Sequence, residues 1–259
     1  MPPTIAVSVD DRVARVTLAR PDVRNAFNAD VIVELRDAFT ALSDDPNVRA
    51  VVLAGEGKAF CGGADINWMR GALELGYDGN VADAEGMSAM FRAIDRCAKP
   101  VIGRIHGAAL GGGAGLSAVC DIAIASDETI FGFTEVKLGI IPAVISPFVL
   151  AKIGVSHARA LFLTGERFDT QRALHIGLIH ESVAMEDLDA AVNRVLGEIR
   201  TAGPNAIAAA KALVPQVREA SYDASLFITA NAIAKARTSD EGQEGLRAFL
   251  ERRPAGFAQ

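Results

Sequence analysis

Cys61-Gly62-Gly63-Ala64-Asp65-Ile66 and Gly111-Gly112-Gly113-Ala114-Gly115 are the two stretches on which the reading of this chain turns. Each follows an apolar run, Ala50 to Leu53 and Val101 to Ile105, and each precedes a segment with helical patterning. Glycine lets a backbone come close to a ligand, and the start of a helix leaves amide N–H groups unpaired. Two such stretches can turn two bare amides toward one oxygen, which makes an oxyanion hole. A lone Glu135, inside Phe131-Gly132-Phe133-Thr134-Glu135-Val136, is the obvious base to accompany them.

Around these stretches the apolar pattern alternates between strand and helix. Val7 to Val9 and Val13 to Leu18 flank Asp10-Asp11 as a hairpin with one buried face. Asn28 is placed to cap a helix carrying Val31, Leu35, Phe39 and Leu42 on one face. Residues 71–86, rich in Gly and Asp with weak periodicity, read as a mobile surface loop before a helix from Met87 to Arg96. After Lys99-Pro100 the cycle of strand, glycine stretch and helix repeats, ending in a strand from Ile122 to Ala125. Residues 145–176 read as short helices broken at Gly154 and Gly165, with one more strand from Leu178 to Val183. From Asp187 onward the pattern is helical. An α/β core over 1–195 with a helical region over 196–259 is the expected organisation.

The 259 residues are 50% hydrophobic, enough for a sizeable core. A formal charge of −6 offers no basic field for nucleic acid or an anionic membrane surface, so neither is an expected partner. Cys61, Cys97 and Cys120 are odd in number, which argues against a disulfide framework and for a reducing, cytoplasmic setting. No apolar run approaches the roughly 18 residues of a membrane span, and Met1-Pro2-Pro3-Thr4 lacks a basic leader, so neither secretion nor insertion is expected.

Other readings of the glycines are weaker. Gly113-x-Gly115-x-x-Ala118 matches a dinucleotide fingerprint, with Asp127 beyond the next strand, but only six residues separate Gly115 from Ile122. A parallel crossover needs about ten to twelve. Gly55-Glu56-Gly57-Lys58 lacks the end of a phosphate loop, and Gly115-Leu116-Ser117-Ala118-Val119 lacks the last glycine of a nucleophile elbow, which leaves Ser117 structural. His106, His157, His175 and His180 show no zinc spacing, so no metal is expected, and His106 reads as a packed imidazole.

With these residues in view, the chain resembles the crotonase family, the enoyl-CoA hydratase/isomerase superfamily, along nearly its whole length. The matching pieces are Arg20-Pro21 with Asn25-Ala26-Phe27, Lys58 to Ile66, His106 to Gly113, Cys120-Asp121, Glu135 to Pro142, and Phe249-Leu250-Glu251-Arg252-Arg253. The resemblance implies a spiral of ββα units, a C-terminal helical trimerisation region, and a homotrimer or dimer of trimers. It makes the Ala64 and Gly112 amides the oxyanion hole for an acyl-CoA thioester, with Glu135 as catalytic base. It also assigns Gly62, Gly63, Asp65, Ile66, Gly111, Arg24 and Ala26 to the coenzyme A and acyl groove, and Pro142 to the acyl pocket. Lys58 and Arg252 match basic positions near the coenzyme A phosphates. No cofactor is implied, since coenzyme A belongs to the substrate.

Hydratases of this family usually carry a second glutamate 20 residues before the first, and that position here is Gly115. A single carboxylate suffices to move a proton between C2 and C4, as in the family's Δ3-Δ2 isomerases. The run Glu135 to Phe148 resembles instead the methylglutaconyl-CoA and carboxygeranoyl-CoA hydratases, which implies a branched or short acyl group. An enoyl-CoA hydratase is therefore the leading expectation, an isomerase using Glu135 alone the second, and a non-catalytic acyl-CoA-binding protein the third. Glu74, Asp83 and Glu85 are the candidates for a replacement carboxylate. Asp121, six residues from Gly115 and about 600° around a helix, is expected to serve packing or a cap.

Overall fold

The computed structural model describes residues 3–258. Met1 and Pro2, part of the stretch read as lacking a leader, lie outside the described residues, as does Gln259. The strands are β1 (Ile5–Asp10), β2 (Val13–Leu18), β3 (Ala50–Gly55), β4 (Val101–Ile105), β5 (Ala108–Leu110), β6 (Ile122–Ser126), β7 (Ile130–Gly132), β8 (Arg167–Phe168) and β9 (Glu181–Val183). The helices are α1 (Ala29–Asp44), α2 (Ile66–Ala72), α3 (Tyr77–Asp95), α4 (Gly112–Val119), α5 (Ser146–Thr164), α6 (Thr170–His175), α7 (Leu188–Thr201), α8 (Pro204–Glu219), α9 (Tyr222–Thr238) and α10 (Asp240–Glu251).

Two sheets form the frame. The larger runs β1-β2-β3-β4-β6-β9 and the smaller β5-β7-β8. All neighbours in the larger sheet are parallel except the β1–β2 hairpin. After β4 and again after β6 the chain lays a short strand, β5 or β7, in the second sheet before entering a helix, so each turn contributes to both walls. The fully buried Phe27, Phe39, Phe60, Phe91, Phe131 and Phe133 belong to one core cluster that takes in residues of both sheets and of α1 and α3. The buried, β-branched character of β3 and β4 fits strands covered on both faces. Their other face packs Val52 and Ile102 against Leu188, Val192 and Leu196 of α7.

Several expectations need correction. Residues 71–86 are not an open loop: α2 ends at Ala72 and α3 already begins at Tyr77. Glycines weaken a helix without forbidding it, and Met90, Phe91 and Ile94 tie its far half into the core. The buried face of the hairpin belongs to β2, while β1 is exposed beyond Ile5 as an edge strand. The strand that leads into Gly111 is β5 rather than β4, so the β4 to β6 crossover is longer than the Gly115–Ile122 spacing indicates. The boundary expected at residue 195 falls inside α7, which packs on the sheet, and the helical layer turns away at Ala202-Gly203. Arg49, itself buried, secures that layer by donating to the carbonyls of Ala202 and Phe257.

The breaks at Gly154 and Gly165 are both present. Gly154 interrupts α5 at φ 74°, and Gly165 closes it in the left-handed region. Asn28 caps α1 by accepting from the Val31 amide at 2.9 Å. Asp121 accepts from the Val101 amide at 2.7 Å and pairs with Lys211, joining β4 to the helical layer.

Candidate active site

The two glycine stretches run side by side. Cys61 donates to the Ala108 carbonyl and Leu110 donates to the Cys61 carbonyl, both at 3.0 Å, so Cys61 and Ala109 form a parallel bridge. Ala64 and Gly112 each stand three residues past that bridge. A second bridge fixes the first stretch from its other side: Phe27 donates to Gly63 and Asp65 donates to Phe27, each at 2.8 Å. These bonds use the carbonyl of the Gly63–Ala64 peptide and the N–H of the next one, and the trans peptide turns the Ala64 N–H away from Phe27. Among the described residues that amide has no acceptor, and the Gly112 amide, at the first position of α4, has none either. Both residues are half-buried, within reach of a ligand from the cleft.

Glu135 completes the arrangement. It opens a short 3-10 turn after β7 and Thr134, and the Gly111 amide donates to the Gly132 carbonyl at 2.8 Å, which ties that segment to the second glycine stretch. A Cβ on Gly111 would stand 3.3 Å from Glu135 Oε1 and 4.0 Å from Gly63 Cα. Gly111 itself sits at φ 52°, where only glycine is unstrained, and with no side chain it leaves the carboxylate open to the cleft. Glu135 Oε2 is buried without a hydrogen-bond partner. Burial pushes the Glu135 carboxyl above the ordinary glutamate range, its own backbone amide opposing only in part. A desolvated carboxylate with one oxygen unpartnered, set against the second glycine stretch, can take a proton while the free amides of the two stretches hold the negative charge that results.

The remaining expected residues divide by position. Gly62 leans on Arg24, whose carbonyl accepts the Gly62 amide at 2.8 Å and whose side chain is exposed. Ala26 is buried and its carbonyl accepts from Arg20, while Ile66 is 71% exposed at the start of α2. Asp65 is held inside the first stretch. Its carboxylate is buried, pairs with Arg20 at 2.7 Å and caps α2 through the Asn67 amide at 2.8 Å, so it shapes the stretch from inside. Pro142 is buried beyond the 3-10 turn, and Lys58 is exposed on the loop after β3. Arg252 is exposed in the left-handed turn that closes α10, in the helical layer.

The loop carboxylates are placed differently from one another. Asp83 Oδ1 accepts from Trp68 Nε1 at 3.2 Å, joining α3 to α2, whereas Glu74 and Glu85 are exposed. His106 is buried with Nε2 2.9 Å from the Gly57 carbonyl, and Ser117 Oγ donates to Gly113, so both serve packing. All three cysteines are free and buried, with Cys61 and Cys120 pushed up to about 12 by burial.

Sequence reasoning missed two residues that build the site. Phe27 was visible only as part of a matching motif, yet it bonds the first stretch and lies beneath Gly112. Ile145 was visible only as an apolar residue after the base, yet it occupies the space beside Gly115. Neither has a local signal, since each acts on a segment distant in sequence.

Comparison with known proteins agrees with this geometry. The family model for enoyl-CoA hydratase/isomerase matches residues 8–259. A crotonyl-CoA hydratase of Syntrophomonas wolfei is 34% identical over 257 residues, covering 98% of this chain and 97% of that protein. Among solved structures, Pseudomonas aeruginosa AtuE superposes with a TM-score of 0.95 at 38% identity, covering 99% of this chain and 100% of that one. An enoyl-CoA hydratase from Shewanella pealeana gives 0.94 at 37%, covering 98% and 95%. The fold is thus the crotonase fold along the whole chain, and with the match extending through both glycine stretches and Glu135, the chain belongs to the enoyl-CoA hydratase/isomerase family.

Proposed function

We propose that the protein is an enoyl-CoA hydratase that stabilises a thioester enolate with the Ala64 and Gly112 amides and uses Glu135 for proton transfer. The observation that carries this is the Glu135 carboxylate, with Oε2 buried and unpartnered, set against Gly111 beside a glycine stretch whose Gly112 amide, like that of Ala64, has no acceptor among the described residues. In hydration, Glu135 takes a proton from water as the water oxygen bonds to C3. The C2=C3 electrons move onto the thioester oxygen, where one well-placed donor contributes about 3–4 kcal/mol. Glu135 then returns the proton to C2, so one water supplies both the hydroxyl and the hydrogen.

The relatives named crotonyl-CoA and enoyl-CoA hydratase favour this reaction. The apolar Val144, Ile145 and Phe148, which follow Glu135 in the chain and pack into the core, favour a short or branched acyl group. The exposed rim residues Arg24, Lys58 and Ile66 are suited to the coenzyme A moiety, and no further cofactor enters the reaction. Three reduced, buried cysteines favour the cytoplasm. No helix among the described residues is long and apolar enough to cross a membrane. Exposed Phe227, Phe249 and Leu250 on the C-terminal helices favour a homotrimer or a dimer of trimers, to be read by light scattering.

Double-bond isomerisation is the second reading, favoured by one observation: the space beside Gly115, where a second glutamate would stand, is taken up by Ile145 and Phe91. There Glu135 would remove a proton from C2 of a 3-enoyl-CoA and return it to C4. Incubation with 2-enoyl-, 3-enoyl- and 3-methylglutaconyl-CoA, with identification of products, tests both. Hydroxyacyl-CoA from a 2-enoyl-CoA supports hydration, and 2-enoyl-CoA from a 3-enoyl-CoA without hydration supports isomerisation. Binding of all three without turnover would overturn both and leave a non-catalytic acyl-CoA-binding protein.

A further inference from the structure

We propose that Phe27 is the positioning residue that sets the two oxyanion-hole donors relative to each other, a proposal that rests on the function assigned above. Its backbone and its ring act on different donors. The backbone holds the first stretch: the Phe27 amide donates to Gly63, the Phe27 carbonyl accepts from Asp65, and the Ala64 amide is left free between them. The ring supports the second. A Cβ on Gly112 would stand 2.7 Å from Phe27 Cδ2 and closer still to Cε2, so the start of α4 rests on the ring edge with no space between.

The ring has no freedom to yield. Phe27 is fully buried and meets Phe91 edge-to-face at 6.2 Å between centroids, and Phe91 is in turn 5.8 Å from Phe148. Its backbone is held from the chain before it as well: Arg20 bonds the Ala26 carbonyl at 2.5 Å and the Asp65 carboxylate at 2.7 Å. One residue thus fixes Gly112 relative to the glycine stretch that presents Ala64. This explains why residue 112 has no side chain, independently of any need for left-handed backbone, which Gly112 does not adopt.

The proposal predicts a coupling of definite sign. Gly112→Ala keeps the donor amide but pushes α4 off the ring, and a displacement of about 1 Å at a reacting centre costs about 100-fold in kcat. Phe27→Ala alone lets the same helix settle and also lowers kcat. The double variant Phe27→Ala/Gly112→Ala fits the new methyl into the vacated space, so its kcat is expected to exceed that of Gly112→Ala by about tenfold. Dissociation constants for a saturated acyl-CoA should stay within about twofold throughout, because ground-state binding does not depend on the donors' spacing. If Phe27→Ala destabilises the fold, Phe27→Leu retains the backbone bridge and withdraws the ring, and lowers kcat with that dissociation constant unchanged.

Turnover is measured on whichever enoyl-CoA the wild type converts, with Glu135→Gln as control and melting temperature recorded for each variant. A double variant no faster than Gly112→Ala, or a loss in Phe27→Leu that lies entirely in binding, overturns the positioning role while a dead Glu135→Gln leaves the functional reading intact. A Glu135→Gln variant with wild-type turnover overturns the functional reading itself.

Discussion

A Cβ added to Gly115 would stand 3.1 Å from Ile145 Cβ and 3.1 Å from Phe91 Cε1, with Ile145 Cγ2 closer than either. Gly115 lies one helical turn beyond Gly111, whose missing side chain points at Glu135. The helix face next to the base is therefore closed by a buried isoleucine delivered from the same segment that carries Glu135.

Restoring a carboxylate at that position requires a second change. Gly115→Glu forces a charged side chain into a packed apolar space, which costs about 3 kcal/mol or more. Gly115→Glu is expected to melt well below the wild type and to gain no hydratase rate. Gly115→Glu/Ile145→Ala recovers much of the stability and allows the carboxylate to approach the cleft. Denaturant unfolding of the three proteins checks this, and a Gly115→Glu protein as stable as wild type would refute the packing argument.

Glu135→Gln separates catalysis from stability. Removing the proton acceptor lowers turnover by about 10²- to 10⁴-fold. Folding moves this carboxyl from water into a desolvated niche, so the native state keeps its proton to higher pH than the unfolded chain. The contribution of Glu135 to stability consequently falls as pH rises from the ordinary glutamate range through its raised native value, and stays low above it. Glutamine carries no charge to desolvate. The variant should be more stable than wild type at neutral pH and equal to it below the glutamate range. Melting temperatures across pH test the sign, and the acidic limb of the wild-type kcat/KM profile should lie above the usual glutamate range.

The larger sheet and α1 were legible because their signals are local: alternation in β2, continuous apolar runs in β3, β4 and β6, and a capping Asn28 ahead of a spaced apolar face. The start of α3 was not, because Gly79, Asp78 and Asp83 carry loop composition while its docking residues lie at the far end. The strands β5, β7 and β8, with two or three residues each, are too short to show a period. At the site, the two glycine stretches and Glu135 could be proposed from glycine density and a lone carboxylate, while the choice of Ala64 and Gly112 within them comes from the family resemblance. Phe27 and Ile145 could not be proposed, since their roles come from which segments the fold lays together.

Asp65 is expected to act through the shape of the first glycine stretch. Burial opposes its ionisation, but the Arg20 guanidinium and the amides of Asn67 and Trp68 prevail and hold the carboxyl below the ordinary aspartate range. Its stabilising effect is present above the ordinary aspartate value and lost as pH falls through the depressed one. Asp65→Ala strands Arg20 and uncaps α2, at a cost of about 3–5 kcal/mol. Asp65→Asn keeps the cap acceptor and should cost less. Unfolding at neutral pH ranks the two, and the gap between Asp65→Ala and wild type should narrow in acid.

Trp68 reports on how α2 meets α3. It is the only tryptophan in the chain, and its indole N–H is bonded to Asp83 across the two helices. With Asp83 bonded there and Glu74 and Glu85 exposed, none of the three is expected to supply a proton in turnover. Replacing all three with their amides should leave kcat within about twofold, since general acid–base contributions are far larger than that. Asp83→Asn alone should alter Trp68 fluorescence, because a neutral acceptor replaces a charged one beside the ring. Titrating acyl-CoA into the wild type should change the same signal if α2 and α3 respond to ligand. A loss of turnover of about 100-fold in the triple variant, with acyl-CoA binding retained, would instead place a second carboxylate in the reaction.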